Sequence, residues 1–262
     1  MRRFILATTL SATAGLLCYF SILASGRPPA TSAQAAKDSA GVLFSESFDD
    51  ARLIERDWYD GDKFTISAKE SHGGKGCVEY LWRAGTTNPA SSSGIRHLFE
   101  ATETVYLRFY IKLSKGWGWS GRPYHPHLMH FMTTENEKFA GPAASHLTVY
   151  IEPWNGKLRL AAQDIENKDK PHGLTQGPLR GGYNGQFFDS KESLFNDEGW
   201  HCVEATFQLN SLDPKADKPN ADGIVRGWFD GNLVIDRSDV VLHSTDFLKG
   251  DSRIPRGRPA RN

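Results

Sequence analysis

Between Val105 and Leu113 the chain reads V-Y-L-R-F-Y-I-K-L, with an apolar side chain at every odd position and Tyr, Arg, Tyr or Lys at every even one. Strict two-residue alternation is the period of a strand with one buried face, because successive side chains leave a pleated backbone on opposite sides. Val105, Leu107, Phe109, Ile111 and Leu113 are therefore assigned to a core, and Tyr106, Arg108, Tyr110 and Lys112 to the opposite face. An ordinary solvated face carries mostly Thr, Lys and Glu. Flat amphipathic rings beside a planar cation also suit stacking on sugars and pairing with carboxylates.

No long stretch carries a 3.6-residue apolar period. Short strand-like runs, separated by Gly, Pro, Asn and Asp, occupy 42–48, 64–67, 77–82, 94–99, 105–113, 127–132, 146–152, 157–163, 200–209, 223–229 and 233–236. The pattern predicts an all-β fold, a jelly-roll sandwich of two antiparallel sheets, over residues 42–248. Asp230-Gly231-Asn232 marks a tight turn between the last two runs. Residues 164–199 form a Gly-rich stretch with few apolar positions, read as a long loop of the functional or disordered kind.

Ahead of the domain, Arg2 and Arg3 lead into an apolar run from Phe4 to Ala24, and Ala33-Gln34-Ala35 follows. A basic head, an apolar middle and an A-x-A site are the layout of an export signal over residues 1–35, with 36–41 as a linker. The run is also long enough to stay behind as a membrane anchor. Export with cleavage near Ala35 predicts a secreted or periplasmic protein that is free of the membrane after processing. Arg2, Arg3 and Arg27 would leave with the signal, so the balance of 31 basic and 31 acidic residues becomes 28 against 31. A mildly acidic chain with no basic stripe excludes nucleic acid as a partner. The remaining ~220 residues suit one domain with a full core, expected to act as a monomer. Cys77 and Cys202 lie in separate strand-like runs, where the compartment allows a disulfide that spacing does not establish.

Other runs repeat the division of Val105–Leu113. His146, Thr148, Tyr150 and Glu152 oppose Leu147, Val149 and Ile151, while Arg159 and Gln163 oppose Leu158, Leu160 and Ala162. Glu204, Thr206 and Gln208 oppose Val203, Ala205 and Phe207. If these strands are neighbours, their polar faces join into one concave groove for an extended polar polymer.

The phrases F-S-E-S-F-D-D, S-S-S-G-I-R-H, V-Y-L-R-F-Y-I-K-L, G-W-H-C-V-E-A-T-F and D-G-I-V-R-G-W-F-D-G-N-L-V run in that order from about Phe44 to Val241. Together they resemble exported polysaccharide-lyase-like proteins of the concanavalin A-like jelly-roll class. The resemblance implies either a lyase acting on uronic-acid polysaccharides or a sugar-binding relative without turnover. Some alginate lyases of this fold carry Q-x-H on a cleft strand, where this chain has His130-Phe131-Met132. The closing strand and late tyrosine of some relatives have no counterpart in G-D-S-R-I-P-R-G-R-P-A-R-N, so the chain reads as truncated or altered after Phe247. Residues 249–262 are accordingly expected to be a disordered basic tail, and the first strand to have one unpaired edge.

Lysis of a uronate requires a group that neutralises the sugar carboxylate, a base for the neighbouring proton and an acid for the leaving oxygen. Arg96 and Arg108 are the candidate carboxylate partners, His130 the base and Tyr150 the acid. Tyr106, Tyr110, Lys112 and Gln163 are candidate substrate contacts. Trp117 and Trp119, in G-W-G-W-S-G, are read as a stacking platform at the rim of the groove, with a hydrophobic plug as the competing role. His130 has a bland alternative too, as a core histidine beside Met129 and Phe131.

No cofactor is required. In H-P-H-L-M-H, His125 and His127 share one face of an extended chain and His130 points away, so no zinc or copper set converges. Asp49 or Asp50 could hold a structural calcium. The E-x-D-x-x-E of retaining glucanases, the G-x-S-x-G elbow, the P-loop and H-E-x-x-H are all missing. Two functions stay open: an exported lyase-like enzyme acting on an acidic polysaccharide, and a carbohydrate-binding or surface-recognition module of the same fold.

Overall fold

The computed structural model describes residues 2–7, 21–23, 41–59, 63–84, 86, 89–92, 94–99, 102–119, 121, 128–132, 148–163, 186–213, 215 and 218–242. Fifteen strands appear among them: β1 Arg2–Ala7, β2 Ser21–Leu23, β3 Val42–Ser45, β4 Ile66–Ser67, β5 Cys77–Trp82, β6 Thr104–Leu113, β7 Met129–Met132, β8 Thr148–Trp154, β9 Lys157–Gln163, β10 Gln186–Asp189, β11 Trp200–Gln208, β12 Leu212–Asp213, β13 Lys218–Pro219, β14 Gly223–Phe229 and β15 Asn232–Val240. The one helical element among the described residues is a 3₁₀ turn at Ile54–Arg56. No helix there is long and apolar enough to cross a membrane.

The strands form an all-β jelly-roll sandwich of two antiparallel sheets. The larger sheet runs β15-β14-β11-β6-β1-β5-β4, with β2 beside β6 and β3 beyond β2; the smaller runs β10-β9-β8-β7. β12 and β13 make a separate ribbon. The alternation of β6 is what makes it the spine: its nine-residue register with β11 sets Val105, Leu107, Phe109 and Ile111 beside Phe207, Ala205, Val203 and His201. These face Phe131, Ile151, Leu158 and Leu160 of the smaller sheet in one buried cluster. Phe131 meets Phe207 edge to face across it at 6.3 Å. Gly227 lets the sheets approach, because a Cβ there would stand 3.0 Å from Leu160 Cδ1.

Two hairpins bear the stamp of local sequence. Asp230 and Gly231, at φ 49° and 79°, join β14 to β15, and Asn155 and Gly156, at φ 49° and 87°, join β8 to β9. Positive φ at both central residues is the primed turn whose twist suits paired strands, and Asp-Gly and Asn-Gly adopt it most readily. Asp230 does more than turn. Its Oδ1 accepts the Cys202 amide at 2.8 Å and its Oδ2 lies 2.9 Å from His201 Nδ1, tying the hairpin to β11. The G-W-H phrase is therefore a structural strut.

Three expectations change. Residues 94–99 are not a strand; Arg96 makes an isolated bridge with Tyr59. Inside the expected loop, Gln186–Asp189 pairs with β9 as an edge strand, a four-residue run too short to show a period. The segment read as a leader supplies β1, paired on both sides with β5 and β6, and β2, paired with β3 and β6. Among the described residues β3 pairs with β2 alone. The tail, residues 249–262, lies outside the described residues.

The F-S-E-S-F phrase also acquires a structural reason. Glu46, 3 % exposed, accepts hydrogen bonds from Arg56 Nε and Nη2, Trp58 Nε1 and the Phe48 amide. Glu46→Gln keeps the shape but turns an amide donor toward these donors, and is expected to cost about 1–3 kcal/mol. Urea unfolding checks this, and an unchanged midpoint would remove Glu46 from the account of stability.

Candidate functional site

The two sheets turn their apolar faces toward each other, so their polar faces lie on opposite sides of the sandwich, separated by two sheet layers with ~10 Å between them. The single groove expected from the sequence is therefore split. Tyr106, Arg108 and Lys112 occupy the outer face of the larger sheet, and His130 and Tyr150 the outer face of the smaller. Arg108 cannot share a substrate carboxylate with His130.

On the larger sheet the predicted contacts are already engaged. Glu204 Oε1 accepts Arg108 Nε at 2.8 Å and Nη2 at 2.6 Å, and also accepts the Tyr106 hydroxyl. Burial and then the Glu204 carboxylate hold the Tyr106 phenol well above its usual pKa. Tyr110 is buried and stacks on His72 with ring centroids 3.6 Å apart. Lys112 Nζ pairs with Glu70 Oε2 at 2.7 Å. Tyr106, Tyr110 and Lys112, read as substrate contacts, and Arg108, read as a carboxylate partner, are thus engaged by Glu204, His72 and Glu70, which lie far away in sequence.

The smaller sheet does bring predicted residues together. β7 and β8 pair His130 with Tyr150, ring centroids 5.5 Å apart, and the register continues through Ala161 to Phe187. Arg96 reaches the same neighbourhood, because its positive charge acts on His130. His130 keeps access to solvent, so crowding of its ring by protein atoms rather than sealing from water, followed by the Arg96 charge, depresses its pKa to about 4. At neutral pH the imidazole is uncharged and can accept a proton. Tyr150, at 2 % exposure, lies beneath. Gln163 ends β9 opposite Thr148.

These histidines also predict acid lability. His130 is depressed by crowding and by Arg96, and His72 and His97 by burial, so all three take up protons more readily when the chain unfolds. Stability contributed by the neutral rings is present above the unfolded value near 6.5 and is lost as pH falls toward about 4 for His130. Thermal melts between those limits are expected to fall steadily with acidification, and a flat profile would contradict it.

One cluster on this face was not foreseen. Arg159 donates to Asp189 through Nε at 2.6 Å and Nη2 at 2.8 Å, and lies 3.8 Å from buried Glu152. Its guanidinium also sits over the rings of Trp154 at 3.8 Å and Phe187 at 4.7 Å. Phe187 and Asp189 belong to the stretch read as loop, which hid them. Trp117 and Trp119 are half-buried against the core and pack on each other at 5.8 Å, with Trp119 on Phe195 at 6.3 Å. Both rings therefore lean on the core rather than stand clear of it.

Asp49 and Asp50, named as possible calcium ligands, each meet protein donors. Asp49 Oδ1 accepts the amides of Lys75 and Gly76, while Arg56 and Arg52 hold Asp50 well below the usual carboxylate range. No group of three or more His, Cys, Asp or Glu among the described residues is arranged around a metal position. Cys77 and Cys202 do not pair with each other, and Cys77 Sγ donates to Glu70 O at 3.1 Å.

No protein-family model matches this chain, and no curated protein matches it. Among solved structures it is similar to an alginate lyase from Chlorella virus, with a TM-score of 0.48 and 14 % identity over 75 % of this chain and 84 % of that one.

Proposed function

We propose that this chain is an exported, lyase-like protein that cleaves an acidic, uronate-containing polysaccharide by β-elimination at Arg96, His130 and Tyr150. The observation that carries the reading is the packing of the His130 imidazole against the Tyr150 phenol on the outer face of the smaller sheet, with the Arg96 charge acting on the imidazole. Arg96 neutralises the uronate carboxylate and so acidifies the proton on the adjacent ring carbon. His130 takes that proton, the bond from the neighbouring carbon to the glycosidic oxygen breaks, and a carbon–carbon double bond forms in the uronate. Tyr150 protonates the departing oxygen and takes a proton back from solvent, while the proton on His130 returns to solvent. The leader-like residues 1–35 support action outside the cytoplasm, and the domain works as a monomer.

The near-complete burial of Tyr150 favours a second reading, a binding module of the same fold that holds the polymer without turnover. Incubating the purified chain with alginate, glucuronan and heparin, and following ultraviolet absorbance of unsaturated uronate, separates the two. New absorbance with any of them supports the lyase. Retention in a polysaccharide-containing gel without absorbance selects the binding module.

A further inference from the structure

The larger sheet has a strand in its middle that comes from the stretch read as an export signal. Ile5 is opposite Glu79 of β5 on one side and Lys112 of β6 on the other; Phe4 and Leu6 are likewise paired twice. Further along the same edge of β6, Ser21–Leu23 lies against Arg108–Tyr106 and hands the sheet on to β3. β1 and β2 thus cover this edge at 106–108 and 110–113, while β11 covers the opposite edge throughout.

The walls of this position are built without the N-terminal segment. Val78 of β5 is in the core cluster, and β5 is held on its far side by Glu79 N to Thr65 O at 2.7 Å and Leu81 N to Ser91 Oγ at 2.8 Å. β6 is fixed by its register with β11 and by Leu107, Phe109 and Ile111 in the core. Two anchored strands flanking a third stand about twice the 4.7–4.9 Å strand spacing apart, too far to hydrogen-bond to each other. With the middle strand gone, each would present a row of unpaired amides and carbonyls at the centre of a sheet.

We propose that the gap with β6 on one side and β5 and β3 on the other is a strand-accepting slot, and that its occupants are this chain's own residues 2–7 and 21–23. The segment that directs export is then also a structural strand of the folded domain, and cleavage near Ala35 leaves it docked rather than released. The slot selects an extended, antiparallel segment through main-chain pairing over Tyr106–Leu113, the mode by which sheets add a peptide strand.

Two measurements on the full chain test this. Ile5→Pro removes an amide and inserts a ring inside a doubly paired strand, so the thermal midpoint is expected to fall by roughly 5–10 °C; an unchanged midpoint overturns the proposal. Replacing residues 28–33 by the recognition sequence of a specific protease then allows the purified protein to be clipped. The N-terminal fragment is expected to co-elute with the domain in size exclusion and to leave only in denaturant, with the amides of Val78 and Tyr80, which face β1 because those of Glu79 and Leu81 bond on the far side, still protected from hydrogen exchange. A fragment that departs while those amides stay protected overturns the slot. Departure accompanied by their loss of protection overturns it as well, because the clipped segment does not then stay docked.

Discussion

Replacing His130 by alanine is expected to lower the rate of unsaturated product formation by about 10²–10⁴-fold, the usual contribution of a positioned general base. Tyr150→Phe should give a loss of similar order, since it removes the one proton the leaving oxygen can take. The control is Arg108→Ala on the opposite face, whose guanidinium is committed to Glu204. It should affect stability without abolishing turnover. The pH profile adds a readout that a structural role would not move: with His130 depressed to about 4, the acid limb should fall there and not near the free-histidine value of about 6.5. Turnover that survives His130→Ala, or an acid limb near 6.5, would sink the assignment.

The second large effect is on the fold. Phe207→Ala should destabilise the domain by about 3–5 kcal/mol, the range for emptying a buried aromatic site. Phe207 is fully buried on β11 and meets Phe131 of the smaller sheet at 6.3 Å, so the cavity opens where the two sheets join. Neighbouring strands are fixed by their ladders and can relax only partly into it. A guanidinium denaturation midpoint shifted by less than about 1 kcal/mol equivalent would mean that the sheets close on the gap.

Of the residues proposed for chemistry, His130 and Tyr150 sit in runs whose strand character is readable locally. His130 and Tyr150 lie at alternate positions of short strands. Arg96 lies in a segment that forms a bridge with Tyr59 and not a strand. Arg108, Tyr106, Tyr110 and Lys112 were placed with them because an alternating strand shows that a residue faces away from the core without showing what faces it. Glu204, His72 and Glu70 lie 96, 38 and 42 positions from Arg108, Tyr110 and Lys112, and nothing local announces them. The Arg159–Asp189 pair was hidden for a related reason, an edge strand of four residues within a Gly-rich stretch.

Alternation along the chain settles the all-β class of the fold and the inward side of its strands. Two-residue periodicity is a property of the pleated backbone and needs no partner to be read. Which strands share a sheet, and therefore which polar residues can meet, was decided by the tertiary structure. Both sheets bury the same kind of apolar face, so each leaves a polar one outside, and sequence alternation is identical for two strands on the same face and for two on opposite faces. The same ambiguity extends to the N-terminus, where an apolar run suits a leader, an anchor or a central strand. Pairing on two sides is a relation between distant segments, and only the folded chain contains it.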